Sequence, residues 1–302
     1  MLLRFRSSRT TQYAPVRFSH RLASDPFSMF RVYSDNGTSP LKFVRFIKPP
    51  PKVDQAEQTA QYGILVSISV GEQIHSIQGN PLTEYALRPE TFRMEDVTLL
   101  APVLPSKIVA VGVNYRAHAE EFKKSPPKEP LLFLKPPTAV IGPGEAIQYP
   151  SQAGQVDLEA ELAVVIKHKV KRVSPQEAKQ AILGYTCFND VTARDLQRSD
   201  GQWTRAKGFD TFAPIGPCIV TDLDPTDLAI QSTLNGKIMQ SARTSQMIFD
   251  VYTLVSFISQ VMTLLPGDVV ATGTPAGVGP MQRGDVAEIS IEGIGTLQNK
   301  VV

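Results

Sequence analysis

The stretch VDLEAELAVVI, residues 156–166, decides how this chain is read. Leu158, Ala160 and Leu162 share one parity, and Glu159 and Glu161 share the other. Side chains in a strand alternate with a period of two, so both carboxylates point to one face, several ångströms apart. Ala163 to Ile166 then read as a continuously buried run. Two like charges beside a core are unfavourable unless something positive lies between them. A surface-facing E-x-E on a half-solvated strand is also an ordinary pattern, and this spacing alone does not choose between the two.

The bulk numbers narrow the field. A chain of 302 residues suits one large domain, or one large and one small. A hydrophobic fraction of 42% with 20% charged residues is that of a globular protein with a real core. The formal net charge of +2 and the lack of a basic stripe argue against a nucleic-acid partner. No window approaches the roughly 18 to 20 apolar residues of a membrane span. Twenty-four prolines and twenty glycines imply many turns and hence a strand-rich fold. Cys187 and Cys218 lack metal-ligand spacing and read as two buried thiols. The first 24 residues carry Arg4, Arg6, Arg9, Arg17 and Arg21 and no acid before Asp25. That composition is the pattern of a mitochondrial presequence and gives the expectation of a matrix protein, with the cytoplasm as the alternative. The sequon Asn36-Gly37-Thr38 is then unused.

Along the chain we expect a targeting or unstructured segment over 1–40, a small domain over 41–104 and a catalytic domain over 105–302. In the small domain, 41–47 and 62–70 read as strands, 71–79 as the return of a hairpin, and 81–102 as a short helix followed by a strand. In the large one, 107–115 is a strand, after which Asn114 caps a short helix ended by Pro126-Pro127. A Ser-started helix spans 174–184 with Gly184 at its end, and an amphipathic helix spans Val251 to Leu264. Asn235-Gly236 is a hairpin turn. Strands outnumber helices and do not alternate regularly with them. The fold class is therefore α+β, a mixed β-roll or sandwich carrying a few helices.

Several residues invite chemistry. Asp190 ends a second apolar strand, in CFNDVTARD (187–195). Glu159, Glu161 and Asp190, with no His or Cys among them, suit a hard cation, Mg²⁺ or Mn²⁺ rather than Zn²⁺. Such an open site holds adjacent oxygens of a 2-oxo acid. His118 and Glu121, at i and i+3 in RAHAEEF (116–122), face the same way on a helix. The carboxylate there orients the imidazole and raises its pKa, making an acid–base pair on what reads as a mobile lid. Lys207, Arg194 and Gln197 offer charge and hydrogen bonds to an anionic substrate, although ordinary salt bridges to Asp195, Asp200 or Asp210 explain the cations equally well. Thr274 lies in ATGTPAGVG (271–279), a glycine turn whose N–H groups can bind an anion but which fits neither a phosphate loop nor a dinucleotide fingerprint. His75, His168 and Trp203 read as structural.

Taken together, VGVNYRAHAEE (111–121), FLKP (133–136), VDLEAELAVVI, FNDVTARDLQ (188–197), WTRAKGFDTFAPIGP (203–217), LNGKIMQ (234–240), SQMIF (245–249), LLPGDVVATGTPAGVG (264–279) and IGTLQNKVV (294–302) resemble the fumarylacetoacetate hydrolase superfamily. The motifs occur in that family's order over about 105–302. The resemblance implies a mixed β-sandwich roll and a homodimer. It implies Glu159, Glu161 and Asp190 as ligands of Mg²⁺ or Mn²⁺, His118 and Glu121 as the catalytic dyad and Lys207 as the active-site lysine. It further implies Gln197, Thr274 and, on a weaker match, Arg194 as substrate contacts. With its short N-terminal domain the chain is most similar to the longer mitochondrial members, implied to be oxaloacetate keto–enol tautomerases. A C–C bond hydrolase of acylpyruvates or fumarylacetoacetate, or an oxaloacetate decarboxylase, is the alternative; a non-catalytic relative that binds a small anion is a third reading.

Overall fold

A computed structural model describes residues 40–48, 59–69, 71–121, 123 and 125–302. The basic segment 1–24 and the sequon at Asn36 lie outside these residues. The strands are β1 (Lys42–Ile47), β2 (Gln61–Ile68), β3 (Gly71–Gly79), β4 (Tyr85–Arg93), β5 (Thr98–Leu100), β6 (Ile108–Gly112), β7 (Leu131–Lys135), β8 (Val140–Ile141), β9 (Val156–Leu158), β10 (Ala160–Ile166), β11 (Ile182–Asn189), β12 (Thr192–Ala193), β13 (Ala213–Val220), β14 (Ala229–Leu234), β15 (Lys237–Arg243), β16 (Val269–Ala271), β17 (Gly279–Met281), β18 (Val286–Ile291) and β19 (Gly295–Lys300). The helices are α1 (Arg116–Glu121), α2 (Pro175–Gln180), α3 (Arg194–Asp200), α4 (Thr204–Gly208) and α5 (Val251–Val261). No helix among the described residues is long and apolar enough to cross a membrane.

The strands form a twelve-stranded mixed sheet, running β4-β3-β2-β1-β13-β11-β10-β16-β6-β7 with β5 on β1 and β8 on β13. A four-stranded sheet, β15-β14-β18-β19, and a three-stranded one, β12-β9-β17, complete the α+β architecture. Among the described residues, 41–104 build no sheet of their own: β1 pairs with β13, so β1 to β4 extend the large sheet.

The AELAVVI run explains its lack of alternation. Leu162, Val164 and Ile166 enter one core, shared with Ile230, Ile289 and Ile291 of the small sheet and with Val255 and Ile258 of α5. Ala163 and Val165 enter a second core on the other face of the large sheet, with Ile108, Ala110, Ile215 and Val269. Both parities therefore demand apolar residues, and every residue of β10 beyond Glu161 is wholly buried. Burying each of the larger side chains contributes about 1.5–3 kcal/mol, which fixes the strand that carries Glu161, with Glu159 at the break just before it.

Four local expectations need correction. Residues 85–93 form the strand β4, followed by a single 3₁₀ turn at Met94–Asp96, where a short helix was expected. Pairing with β3 at six positions of the hairpin overrides the weak helical pattern. The helix started by the Ser174 capping box ends at Gln180, and Gly184 lies inside β11. A Cβ on Gly184 would meet the Val220 carbonyl oxygen at 2.3 Å, so the glycine serves close strand approach rather than a helix end. The α5 helix stops at Val261 rather than Leu264, whose N–H instead pairs with the Val170 carbonyl across an isolated bridge. Asn114 does not cap α1: its buried amide donates to the Thr272 carbonyl (2.8 Å) and the Phe249 carbonyl (3.0 Å) and accepts from Phe249 N–H (2.9 Å).

Candidate active site

The register of the large sheet gathers the acids. β10 and β11 pair with Ala160 opposite Asn189, and one further step sets Glu159 beside Asp190. There the Asp190 N–H donates to the Glu159 carbonyl (2.9 Å), and the Asn189 side chain accepts from the Glu159 N–H (3.0 Å). β16 runs along the other edge of β10, and its exit brings the Gly273 N–H to Glu161 Oε2 (2.9 Å). Gly273 holds a φ of +95°, and a Cβ there would come within 2.7 Å of the Asn114 Cβ. Only glycine meets both demands. Glu159, Glu161 and Asp190 are all buried, with one oxygen of each lying within 4.8 Å of the others.

Three buried cations surround this cluster. Lys207, from α4, bridges Glu159 Oε2 (2.9 Å) and Asp190. Lys135, at the end of β7, donates to Asp190 Oδ1 (2.5 Å) and to the Val191 carbonyl (3.2 Å). Arg194, at the start of α3, donates from Nε to Asp157 Oδ2 (2.8 Å), from Nη2 to Glu159 and from Nη1 to Gln197 Oε1 (2.7 Å). Burial pushes the Glu159 carboxyl up, but Lys207 and Arg194 outweigh it and hold it below the ordinary carboxylate range. Burial lowers Lys135, whereas in Lys207 the pull of Asp190 and Glu159 overcomes burial and raises it.

Glu161 stands apart. Its partner is a backbone N–H, while burial, Asp190 and Glu159 push its carboxyl well above the usual range. A fully buried carboxylate facing two others is unfavourable in this state, and a small divalent cation is the object that relieves it. The four carboxylates Asp157, Glu159, Glu161 and Asp190 exceed the three cations Arg194, Lys135 and Lys207 by one charge. A divalent ion turns that surplus into a net positive charge suited to an anionic ligand. The all-oxygen donor set fits Mg²⁺ or Mn²⁺.

A cavity of about 240 Å³ opens over the cluster. His118 and Thr274 line it together with Arg194, Gln197, Lys207 and the three acids. His118 Nδ1 lies 3.2 Å from Glu121 Oε2, as the i, i+3 spacing predicts. Glu121 Oε1 also accepts from the Gly277 N–H (3.1 Å), tying α1 to the glycine turn. Glu121 does pull the imidazole pKa up, as expected, but the net shift is downward. Burial is the larger influence and lowers it, against the opposing pull of Glu159 and Glu121, so the ring is neutral and able to accept a proton at neutral pH. Every site residue picked from the sequence lies at this cavity except Glu121, which reaches it through His118.

Five contributors escaped the sequence reading: Lys135, Asp157, Gln240, Trp203 and Arg198. Trp203, read as structural, lines the cavity and packs edge-to-face on Phe133, with ring centroids 5.1 Å apart. Lys135 is the lysine of FLKP, a motif noted without a role. Gln240, in the small sheet, is wholly engaged. Its Oε1 accepts from Ala160 N–H and Ser232 Oγ (both 2.9 Å), and its Nε2 donates to Thr274 Oγ1 and the Pro275 carbonyl (both 2.7 Å). It thereby couples the residue between the two glutamates to the glycine turn. Gln240→Leu should destabilise the protein by about 3 kcal/mol, because it strands several buried polar groups. A urea midpoint equal to that of the wild type would show this cross-link to be dispensable.

Comparison with known proteins places this geometry. Residues 107–302 match the family model described as fumarylacetoacetate (FAA) hydrolase C-terminal, and residues 42–102 match the one described as Rv2993c-like, N-terminal. A structure of 2-hydroxyhepta-2,4-diene-1,7-dioate isomerase from Mycobacterium marinum is 46% identical with a TM-score of 0.79, covering 87% of this chain and 98% of that one. The mitochondrial oxaloacetate tautomerase FAHD2A of Bos taurus is 43% identical over 220 residues, 68% of this chain and 70% of its own length. Fumarylpyruvate hydrolase from Pseudomonas aeruginosa, solved in complex with Mn²⁺ and pyruvate, is 36% identical with a TM-score of 0.63, covering 68% of this chain and 91% of that one. With the catalytic segment matched from end to end, the chain belongs to the fumarylacetoacetate hydrolase family.

Proposed function

We propose that this protein is a divalent-metal-dependent keto–enol tautomerase of a small 2-oxo diacid, with oxaloacetate the first candidate. The observation that carries the reading is the buried Glu159–Glu161–Asp190 cluster with His118 facing the same cavity. The Bos taurus relative named as an oxaloacetate tautomerase and the M. marinum neighbour named as an isomerase support it.

Glu159, Glu161 and Asp190 would hold Mg²⁺ or Mn²⁺. That ion supplies Lewis-acid polarisation of the 2-oxo carboxylate oxygens. The protein's own groups do the rest. His118, its Nδ1 held by Glu121, takes a proton from C3 of the keto acid at Nε2 and returns it to the C2 oxygen, giving the enol with no net change in atoms. The Lys207 ammonium meets the negative charge that builds on the C2 oxygen, and Thr274 and Gln197 orient the acid.

The test is the ultraviolet decay of enol-oxaloacetate, followed beside pyruvate and CO₂ release, with Mg²⁺, Mn²⁺ or EDTA. We expect metal-dependent acceleration of the decay, no acceleration in EDTA and little cleavage. The same ions should raise the melting temperature. Absence of any metal-dependent acceleration ends the reading. The second reading, C–C bond hydrolysis or decarboxylation of an acylpyruvate-like acid, is favoured by the fumarylpyruvate hydrolase neighbour and would appear as bond cleavage in that assay. Assembly as a homodimer and import into mitochondria, the latter supported by the acid-free basic segment 1–24, belong to this proposal. Light scattering and an N-terminal fluorescent fusion test them.

A further inference from the structure

The three buried cations of the site are spoken for: Arg194 by Asp157, Glu159 and Gln197, Lys207 by Glu159 and Asp190, and Lys135 by Asp190. One turn further along α3 lies Arg198, an i, i+4 neighbour of Arg194 and hence on the same side of the helix. Arg198 lines the cavity too, is exposed, and has no ion pair among the described residues. The nearby acids that might have neutralised it are taken. Asp195 accepts from the backbone N–H groups of Gly154 (2.9 Å) and Gln155 (3.2 Å), and Asp200 is paired with Arg205 at 2.5 Å.

The cavity's apolar wall is made by Phe133 and Trp203. Trp203 lies against Gly112, where a Cβ would come within 2.7 Å of the indole, so the glycine makes room for the ring. The cavity thus offers an acidic cluster at its base, an aromatic wall beside it and an uncommitted guanidinium at its mouth. A ligand whose 2-oxo acid end is held at the base presents its far end to that mouth.

Resting on the tautomerase reading for the orientation of the acid, we propose that Arg198 receives the distal carboxylate and makes the site selective for 2-oxo dicarboxylic over 2-oxo monocarboxylic acids. A guanidinium suits this task because its planar donors match both oxygens of a carboxylate. Arg198 is a specificity residue in this assignment and takes no part in the proton transfer.

The test compares oxaloacetate with 2-oxobutyrate, four-carbon acids that differ in bearing a carboxylate or a methyl group at the far end. Wild type, Arg198→Met and Arg198→Lys are assayed for turnover with Mn²⁺ and for binding by calorimetry. We expect Arg198→Met to raise KM and Kd for oxaloacetate at least about tenfold, to leave kcat within about twofold and to leave 2-oxobutyrate unchanged, with Lys restoring part of the loss. Equal effects on both acids, or none on either, overturn the assignment. Wild-type turnover that ignores Arg198 removes this inference alone. Arg198-dependent diacid binding without isomerisation removes the tautomerase reading alone. Failure of wild type to bind oxaloacetate removes both.

Discussion

Glu161→Gln should stabilise the metal-free protein while abolishing divalent-ion binding and lowering turnover by about 10³-fold or more, the scale of several kcal/mol of lost charge stabilisation. The two effects have opposite signs for one reason. In the absence of a cation, Glu161 is a buried acid facing Glu159 and Asp190, with its hydrogen bond coming from the Gly273 backbone. An amide keeps that acceptor and removes the like-charge cost, a gain of roughly 1–3 kcal/mol. It also takes away the ligand that no lysine or arginine already neutralises. Denaturation in EDTA and calorimetry with Mn²⁺ read the two halves separately. A variant that is less stable in EDTA, or that still binds the ion, contradicts this account of the cluster.

The second large effect is expected at His118. His118→Asn should cut kcat by about 10²- to 10⁴-fold, the usual range for a positioned general base, while leaving Mn²⁺ affinity close to wild type because the imidazole is not among the three acids. The pH profile carries a sign. Burial lowers the His118 pKa, so the base form persists to lower pH than for an ordinary histidine, and the acid limb of the rate should fall below the ordinary histidine range. An acid limb displaced upward, or a variant with full turnover, would assign the proton transfer elsewhere.

Much of this was legible because the signals are local or periodic. The hairpin at Asn235-Gly236, with φ of +52° and +79°, follows from two residues. The His118–Glu121 contact follows from helical spacing, and the two glutamates do converge, although the expected single strand is broken at Glu159, between β9 and β10. What stayed hidden depends on register between distant segments. Lys135 reads as the polar end of an apolar strand, and nothing near it in the chain says that it meets Asp190, 55 positions away. Gln240 looks like a hairpin residue until the small sheet is laid against Ala160. Asn114 has the right chemistry and place for a helix cap, yet tertiary hydrogen bonds at Thr272 and Phe249 claim its amide. The upward pull of Glu121 on His118 was legible, but the larger downward effect of burial was not, because sequence shows the neighbouring carboxylate and not the depth of burial.

The strand Ala160–Ile166 separates two cores, and its buried side chains leave it no slack on either side. The acid cluster inherits that stiffness, whereas Arg198 sits on the outer surface of a two-turn helix. In the proposed reading the scaffold thus divides its labour: a stiff half for the common oxo-acid end, and a rim free to vary with the remainder of the molecule it receives. Diversification of substrates within such an architecture has its natural route at the rim, where exchanging one side chain leaves the chemistry beneath untouched.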